Sequence, residues 1–310
     1  LKPVPLYNCG MRLGKKDARR TEQRLAASKR LDRMTALEIV RLMNREDRRV
    51  AAAVGRELPA IARAVDAIVA AMRGGGRLIY VGAGSSGRMA VLDAAEIPPT
   101  FGVPHEAIRA FIAGGRYAVT GAVEGAEDAA DAGVAALRGA RVGKGDAVVG
   151  VAASGTTPYV LAAIDYARGR GATTIAITSN EHMPLAQKAE IAISVDIGAE
   201  VLTGSTRLKA GTAQKMVLNM LSTAVMVRLG HVYENLMIDA VLTNNKLHVR
   251  AVRILMEASG AGVSAAEDAL RAGGHNMRVG LVMLKLGVGA GEARKRLAAA
   301  RGNLRLALGE

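Results

Sequence analysis

Two segments of the sequence place carboxylates where they can transfer protons. Glu96 ends an apolar helical pattern and precedes the rigid turn IPPTFG, in apolar surroundings that favour its protonated form and let it donate a proton. Glu124 and Glu127 crowd with Asp128 in the sequence EGAED, where clustered like charges also favour the protonated form of one member. Glu124 and Glu127 would share one face if this segment is helical. The alternatives are a surface position at a helix end for Glu96 and a solvated helix start for EGAED.

The sequence lacks the residue patterns of metal-dependent catalysis, of a catalytic triad and of a nucleotide-binding P-loop. The one cysteine, Cys9, excludes an internal disulfide framework and a cysteine metal cluster. The five histidines are scattered without metal-ligand spacing, no Ser-His-Asp order is evident, and no loop of the form G-x-x-x-x-G-K-[ST] occurs. We therefore expect acid and base chemistry by carboxylates, without a metal ion.

A glycine-rich turn follows the first predicted strand, in the stretch RLIYVGAGSSGRMAVLDAAE. It matches G-x-G-x-x-G at Gly82, Gly84 and Gly87. A dinucleotide site also needs an acidic residue at the end of the second strand, and here that strand ends in FIAGG. The turn instead carries Ser85 and Ser86 where a helix should begin. The N–H groups of a helix start together with two hydroxyls suit a single phosphate group.

Two further hydroxyl-rich loops have the same character. VAASGTTPYV follows another predicted strand, with a proline where a first helical turn accepts it, and TGSTRLKAGT opens a long helix. Their polar side chains are Ser154, Thr156 and Thr157 in the first loop and Ser205, Thr206, Arg207 and Lys209 in the second. Each loop taken singly is also explained as a helix cap. Together, at the edge of one sheet, they favour a phosphorylated small molecule as the ligand.

The elements that must position these residues alternate between short apolar strands and helices. This alternation predicts βαβ units and a parallel sheet, and therefore an α/β fold. The predicted strands run from Leu78 to Val81, Ile108 to Ala113, Ala147 to Ala152, Thr174 to Thr178 and Ile191 to Val195. Ligands of such sheets bind at the carboxyl ends of the strands, where the hydroxyl-rich loops begin.

Helices are predicted before and after this region. Thr35 and Glu38 have the spacing of a capping box, which starts a helix that runs to about Asn44. A second helical pattern follows and is kinked or restarted at Pro59. A long apolar helix is predicted from about Thr206 to Leu229.

The C-terminal region contains a weak duplication. LRAGGHNMRVGLVM, from Leu270, aligns with LAAARGNLRLAL, from Leu297, and the same offset superposes Asn276 on Asn303. This pattern predicts a repeated two-helix unit in a small helical subdomain. The predicted organisation is a basic flexible tail over residues 1–20, an α/β domain with N-terminal helices over 21–256 and an all-α subdomain over 257–310.

The net charge of +14 would suit nucleic acid or an anionic substrate. The charge is mostly dispersed, and its densest run, RLGKKDARR, lies in the predicted tail. With no Trp and two Phe, platforms for base stacking are scarce, so we expect no nucleic-acid partner. No apolar stretch approaches the roughly 20 residues of a membrane helix, and the first residues lack a secretory core. We therefore expect no membrane partner and a cytoplasmic location.

From about Thr21 onward, the chain closely resembles the N-acetylmuramic acid 6-phosphate etherases, which are sugar-isomerase (SIS) domain proteins related to the glucokinase regulatory protein. The resemblance is carried, in order, by TALEIVRLMNREDRRV, GAGSSGRMAVLDAAEIPPTFG, AVEGAEDAADAG, AASGTTPYV, GSTRLKAGTAQKMVLNMLSTAVMVRLG and NLMIDA. The chain departs from the family at Leu25 and Ala26, where the family usually has Asn-Pro, and at Glu234, where it usually has glycine. These departures affect the N-terminal arm and a local turn, not the carboxylates.

The resemblance implies a three-layer SIS domain and cleavage of the D-lactyl ether of N-acetylmuramic acid 6-phosphate, by elimination and then water addition, to N-acetylglucosamine 6-phosphate and D-lactate. It implies that Glu96 protonates the departing ether oxygen and that Glu127 removes the C2 proton. No cofactor is expected, because the carbonyl of the sugar itself is the electron sink. The implied substrate-binding residues are Gly84, Ser85, Ser86, Glu124, Ser154, Gly155, Thr156, Thr157, Glu200, Ser205, Thr206 and Arg207. The resemblance also implies a homodimer with sites near the subunit contact.

Two other functions stay open on the sequence alone. One is a non-catalytic regulator that binds sugar phosphates, which would need a protein partner and which the modest length of the chain disfavours. The other is an aldose-ketose sugar phosphate isomerase with Glu200 as a candidate base. The LDAAEIPPTFG block argues against it, because such isomerases do not require this block.

Overall fold

The computed structural model describes residues 19–310, and a parallel sheet of five strands forms its centre. The strands are β1 (Leu78–Gly82), β2 (Ile108–Ile112), β3 (Ala147–Val151), β4 (Thr173–Thr178) and β5 (Ile191–Ser194). Their order across the sheet is β2-β1-β3-β4-β5, and each neighbouring pair is parallel. The five predicted strands are thus confirmed. Cys9 and the predicted tail as far as residue 18 lie outside the described residues.

Helices cover both faces of this sheet and make it the middle of three layers. They are α1 (Ala36–Arg56), α2 (Leu58–Arg73), α3 (Gly84–Phe101), α4 (Tyr117–Thr120), α5 (Ala130–Gly139), α6 (Pro158–Gly169), α7 (Pro184–Lys188) and α8 (Lys209–Arg228). One apolar cluster joins α1, α2, α3 and α8 to one face of the sheet, and another joins α5, α6 and α7 to the other face. Because β1 and β3 are buried on both faces, their sequences read as continuous apolar runs rather than alternating ones.

The helix α1 begins at the predicted capping box but ends later than predicted. The Glu38 N–H donates to the Thr35 hydroxyl over 3.4 Å, and the Thr35 N–H donates to the Glu38 carboxylate over 2.7 Å. The predicted end at Asn44 is wrong, because the helix continues to Arg56. The run NREDRR interrupts the apolar pattern without breaking the helix, since most of its side chains point outward and the buried stripe resumes at Val50.

The helix α2 begins afresh after this end. Pro59 lies in its first turn, where the missing proline N–H has no intrahelical acceptor to bond. Of the two predicted effects of this proline, a kink or a restart, the structure shows the restart.

The C-terminal helices pack around an apolar core of their own. They are α9 (Asn245–Ser259), α10 (Val263–Ala272), α11 (Met277–Leu286), α12 (Ala290–Ala299) and α13 (Leu304–Leu308). The core also takes in Tyr233, in the segment that connects α8 to α9, and therefore begins before residue 257. The division of the chain at 257 stays a prediction. Within residues 19–310, no helix combines the length and the hydropathy that crossing a bilayer requires.

The predicted duplication has a structural counterpart in the two turns of this region. The His275 N–H donates to the Leu270 carbonyl over 2.9 Å, and the Gly302 N–H donates to the Leu297 carbonyl over 2.7 Å. These two bonds superpose at the offset that aligns the two sequences. The α10–α11 and α12–α13 pairs are therefore two copies of one helix–turn–helix unit.

Candidate functional site

A cavity of about 720 Å³ opens at the carboxyl edge of the sheet. The loops that follow β1 and β3 both line it. These strands are neighbours, and the chain leaves β1 towards α3 on one face and β3 towards α6 on the other. Ligands of open α/β sheets bind at such a switch point.

The glycines of the first loop let strand and helix approach closely. A Cβ atom on Gly82 would lie 2.8 Å from the Gly87 Cα, and Gly84 has a φ of +52°. The G-x-G-x-x-G pattern therefore serves the tight strand-to-helix turn at the start of α3. The strand β2 ends at Ile112 and is followed by Ala-Gly-Gly, so this turn lacks the acidic partner of a dinucleotide site.

The hydroxyls of these loops do not cap the helices that follow. The N-cap residues are Ala83 for α3 and Thr157 for α6, and neither helix has a side-chain capping bond. The N–H groups that open α3 are thus left for a ligand, together with the positive ends of both helix dipoles. The helix α6 begins with Pro158, which has no N–H group, and its Val160 N–H donates to the Thr157 carbonyl over 3.1 Å. In the second loop, the Ser154 oxygen accepts hydrogen bonds of 3.2 Å from the N–H and from the hydroxyl of Thr156. These features are those of an anion-binding site.

The cavity gathers many of the residues predicted from the sequence. Those that line it are Gly84, Ser85, Ser86, Glu127, Ser154, Thr156, Thr157 and Thr206. Gly155 supports the second loop with a φ of +70° and a carbonyl that accepts the Leu185 N–H over 3.0 Å. Ser205 and Arg207 flank Thr206 but do not line the cavity.

Sequence reasoning missed several lining residues: Arg19, Glu22, Met183 and Gly204. Met183 follows β4, and the predicted carboxyl end of that strand would have located it. Arg19 and Glu22 precede β1 by more than 50 residues, and no local signal connects them to the site.

The EGAED segment brings one of its two glutamates to the cavity. It forms a turn with Gly125 at a φ of +70°, followed by one 3-10 turn over Ala126–Asp128. Glu127 and Asp128 line the cavity, whereas Glu124 is exposed outside it. Glu124 and Glu127 therefore do not share a helix face, and the expectation that they would is corrected by the intervening glycine.

Glu96 lies away from this cavity in the same chain. It is 12 residues beyond Gly84 on α3, which is about 18 Å at 1.5 Å per residue. Its side chain is exposed, so this subunit does not supply the apolar surroundings expected from the sequence. The buried carboxylate of α3 is Asp93, which accepts hydrogen bonds from Tyr80 (2.9 Å) and Ser222 (3.1 Å). Burial raises the pKa of Asp93.

Glu200 is fully buried and does not line the cavity. Its two carboxylate oxygens accept the N–H groups of Lys209 (3.1 Å) and Ala210 (2.9 Å), so it caps the start of α8. Burial raises its pKa, although these hydrogen bonds oppose the effect. The Lys209 ammonium forms a buried ion pair of 3.0 Å with Glu46. These contacts hold the loop that carries Thr206.

In the described part of the chain, no cluster of three or more His, Cys, Asp or Glu side chains is arranged to hold a metal ion. The residues that line the cavity supply hydroxyls, backbone N–H groups and carboxylates, and Arg19 is among them. This set can bind a phosphate at the helix starts and a sugar beside it.

Comparison with known proteins places these features in families. Residues 60–168 match the glucokinase regulatory protein N-terminal SIS domain, and residues 128–224 match the SIS domain. The chain is 52% identical over 288 residues to the N-acetylmuramic acid 6-phosphate etherase of Pectobacterium atrosepticum, covering 93% of this chain and 95% of that protein. It is 54% identical over 288 residues to the protein of the same name from Serratia proteamaculans, covering 93% and 97%.

Solved structures are more distant in sequence. A phosphoheptose isomerase from Francisella tularensis is 17% identical, with a TM-score of 0.48, and the match covers 63% of this chain and 100% of that one. The NanR protein of Vibrio vulnificus, solved with ManNAc-6P, is 16% identical with a TM-score of 0.42, covering 60% and 62%.

Proposed function

The chain belongs to the N-acetylmuramic acid 6-phosphate etherase family and cleaves the D-lactyl ether of that sugar in amino sugar recycling, and from this premise we propose that Glu127 and Glu96 are its base and acid. One observation supports Glu127 as the base. Glu127 lines the same cavity as the two hydroxyl-rich loops that lead into α3 and α6. A phosphosugar held there by its phosphate presents its carbon chain to this carboxylate.

The proposed reaction has three steps. Ring opening produces an aldehyde at C1, which acidifies the hydrogen on C2. The Glu127 carboxylate takes this proton, and the C2–H electron pair passes to the C1 carbonyl to give an enolate. The enolate then restores the C1 carbonyl and forms a C2–C3 double bond, while the C3–O bond breaks with its electrons leaving on the lactyl oxygen. Glu96 protonates that oxygen, which releases D-lactate. Water then adds to the double bond, hydroxyl at C3 and hydrogen at C2, to give N-acetylglucosamine 6-phosphate.

We propose that the loop hydroxyls and helix N–H groups hold the phosphate. The residues are Gly84, Ser85, Ser86, Ser154, Gly155, Thr156 and Thr157. The positive ends of α3 and α6 favour an anion, and the hydroxyls donate without adding a competing charge. Thr206, on the loop before α8, faces the sugar in this arrangement.

The position of Glu96 leads to the proposal that the active site needs two subunits. Within one chain, most of the length of α3 lies between Glu96 and the cavity. We therefore propose a homodimer in which the partner subunit's Glu96 reaches the cavity that contains Glu127. Exposed apolar side chains support a contact beside this helix. Leu92 lies one turn before Glu96 and is 42% exposed, and Tyr117 on the adjacent α4 is 85% exposed.

Complementation between inactive variants tests this arrangement. Glu96→Ala and Glu127→Ala are each expected to abolish release of D-lactate. Mixed at equal ratio through unfolding and refolding, they form heterodimers with one intact site, and about a quarter of the wild-type activity should return. If both residues came from one chain, no mixture would regain activity. Sedimentation measurements on the same samples report whether a dimer forms.

Release of D-lactate by the wild-type chain tests the function itself. A folded protein that binds the sugar phosphate without releasing D-lactate would support the regulator instead. We do not favour the alternative function as an aldose-ketose isomerase, because the Glu200 carboxylate already accepts hydrogen bonds from the backbone of α8. We also propose that the protein works in the cytoplasm, since a charged sugar phosphate does not cross a bilayer unaided; cell fractionation tests this.

A further inference from the structure

The segment Arg19–Glu22, here called the N-terminal strap, crosses the carboxyl edge of the sheet and forms one wall of the cavity. Its anchor is Thr21, which is fully buried. The Thr21 N–H donates to the Asn180 side chain over 3.3 Å, and the Asn180 amide donates to the Thr21 hydroxyl over 3.1 Å. The same amide donates to the Ala153 carbonyl over 2.9 Å, directly before Ser154. The strap is thereby tied to the second hydroxyl-rich loop.

Two further contacts hold the strap in place, one of them on the loop that leads to Thr206. The Gly204 N–H donates to the Thr21 carbonyl over 3.3 Å, and the Arg20 guanidinium pairs with Asp196. With contacts on both sides of Thr21, the backbone at the next residue has a defined position. That residue is Glu22.

The Glu22 side chain is half-buried and lines the cavity. One of its carboxylate oxygens lies 3.3 Å from the position that a Cβ on Gly204 would occupy, so the carboxylate stands against the loop that leads to Thr206. In the part of the chain that the structure describes, no hydrogen bond or ion pair to this carboxylate is present. A carboxylate held in place and left without a partner is suited to accept a hydrogen bond from a ligand.

The charge of Glu22 limits what it can face. The substrate has two anionic groups, the phosphate and the lactyl carboxylate, and a carboxylate repels both. The hydrogen-bond donors of the substrate are the sugar hydroxyls and the acetamido N–H. We propose that Glu22 is a substrate-binding residue that accepts a hydrogen bond from one of these donors and so orients the amino sugar between the phosphate subsite and Glu127. The identity of the sugar in this proposal rests on the proposed function.

The test measures binding rather than turnover. Wild type, Glu22→Ala and Glu22→Gln are titrated calorimetrically with N-acetylglucosamine 6-phosphate and, separately, with inorganic phosphate. A hydrogen bond to a charged acceptor predicts sugar phosphate binding about 10- to 100-fold weaker in Glu22→Ala, with an intermediate loss in Glu22→Gln. Binding of inorganic phosphate should be unchanged or tighter, because a nearby negative charge has been removed. The matched control is Gln23→Ala, the adjacent exposed residue, which should bind both ligands as wild type does.

Two results would overturn the proposal. One is wild-type affinity of Glu22→Ala for the sugar phosphate. The other is an equal loss of affinity for inorganic phosphate together with a lower unfolding temperature, which would assign Glu22 a structural role in the strap. Because these titrations need no catalysis, they are read independently of D-lactate release. Failure of the wild-type protein to release D-lactate counts against the proposed function alone.

Discussion

The carboxyl edge of the sheet and the C-terminal helical region differ in whether their charged side chains have hydrogen-bond partners. In the C-terminal region, Arg278 bonds to Asp239 and to the carbonyls of Gly230 and Gly302. At the carboxyl edge, the carboxylates of Glu22 and Glu127 line the cavity, and neither has a hydrogen bond or ion pair to the described residues. Paired groups stabilise a fold, whereas positioned but unpaired groups are available to a ligand. The comparison therefore separates residues that maintain the structure from those that we propose act on the substrate.

The largest effect is expected at Glu127, because it belongs to the unpaired set. Glu127→Gln should lower D-lactate release about 10²- to 10⁴-fold, since the proton at C2 loses its base. Exchange of the C2 hydrogen with D₂O, followed by NMR, should be lost as well. Glu96→Gln should lower release over the same range yet keep the C2 exchange, because it removes the acid and not the base. The unfolding free energy should change by less than about 0.5 kcal/mol in both variants.

The control for Glu127 is Asp131→Asn, an exposed carboxylate in the first turn of α5 that does not line the cavity. It should leave both release and exchange as in wild type. Persistence of C2 exchange in Glu127→Gln would transfer the role of base to another residue.

The next effect concerns stability and is expected at Asp239, in the paired set. Asp239→Asn keeps the shape of the side chain but leaves the Arg278 guanidinium, which is mostly buried, without its counter-ion. We expect a loss of about 2–3 kcal/mol in the unfolding free energy of the C-terminal helices. Asp268→Asn, which breaks an exposed pair with Arg271, should cost less than about 1 kcal/mol. Denaturant titration measures both, and equal losses would contradict the distinction between buried and exposed pairs.

The same pair predicts a sensitivity to acid. Burial alone would raise the pKa of Asp239, but hydrogen bonds from Arg278 and His231 outweigh it and lower the pKa below its ordinary value. A carboxylate with a lowered pKa contributes stability above the pKa of the unfolded chain and loses it as the pH falls through the folded pKa. The contribution should therefore begin to fall below about pH 4 and disappear once the pH lies below the lowered folded pKa. In Asp239→Asn this part of the acid dependence should be missing, and a curve parallel to wild type would refute the assignment.

The comparison also shows which features the sequence could reveal. The strands, the capping box at Thr35 and the repeated turns are encoded by residues a few positions apart, and they were predicted. The end of α1 was missed because the charged run after Asn44 marks a change of exposure and not of backbone conformation. Glu200 was assigned to the pocket by the family resemblance, but its oxygens turn inward to cap α8.

The parts of the site that depend on long-range packing were not predictable in this way. Glu22 is held at the cavity by the hydrogen bonds between Thr21 and Asn180. No sequence pattern near either residue predicts that contact. Glu96 was identified as an acid, yet its distance from Glu127 follows from the direction in which α3 leaves the sheet. A residue type suggests chemistry, whereas the placement of that residue depends on the whole fold and, in the proposed homodimer, on a second subunit.

The smallest effect sharpens the comparison within the C-terminal region, between the two copies of the repeat. Asn276 accepts the Val279 N–H over 3.1 Å at the start of α11, and Asn303 accepts the Leu306 N–H over 3.1 Å at the start of α13. Asn276→Ala should lower the unfolding free energy by about 1 kcal/mol, because α11 is packed on several sides in the C-terminal core.

Asn303→Ala removes the same bond from α13, a helix of only five residues. A short helix that opens locally absorbs the loss of its cap without unfolding its neighbours, so amide exchange in α13 should accelerate while the global transition moves less than in Asn276→Ala. Asn276→Ser and Asn303→Ser restore a capping oxygen and serve as matched controls. Equal shifts of the global transition would show that α13 unfolds with the core, and the two copies would then be equivalent in stability as well as in sequence.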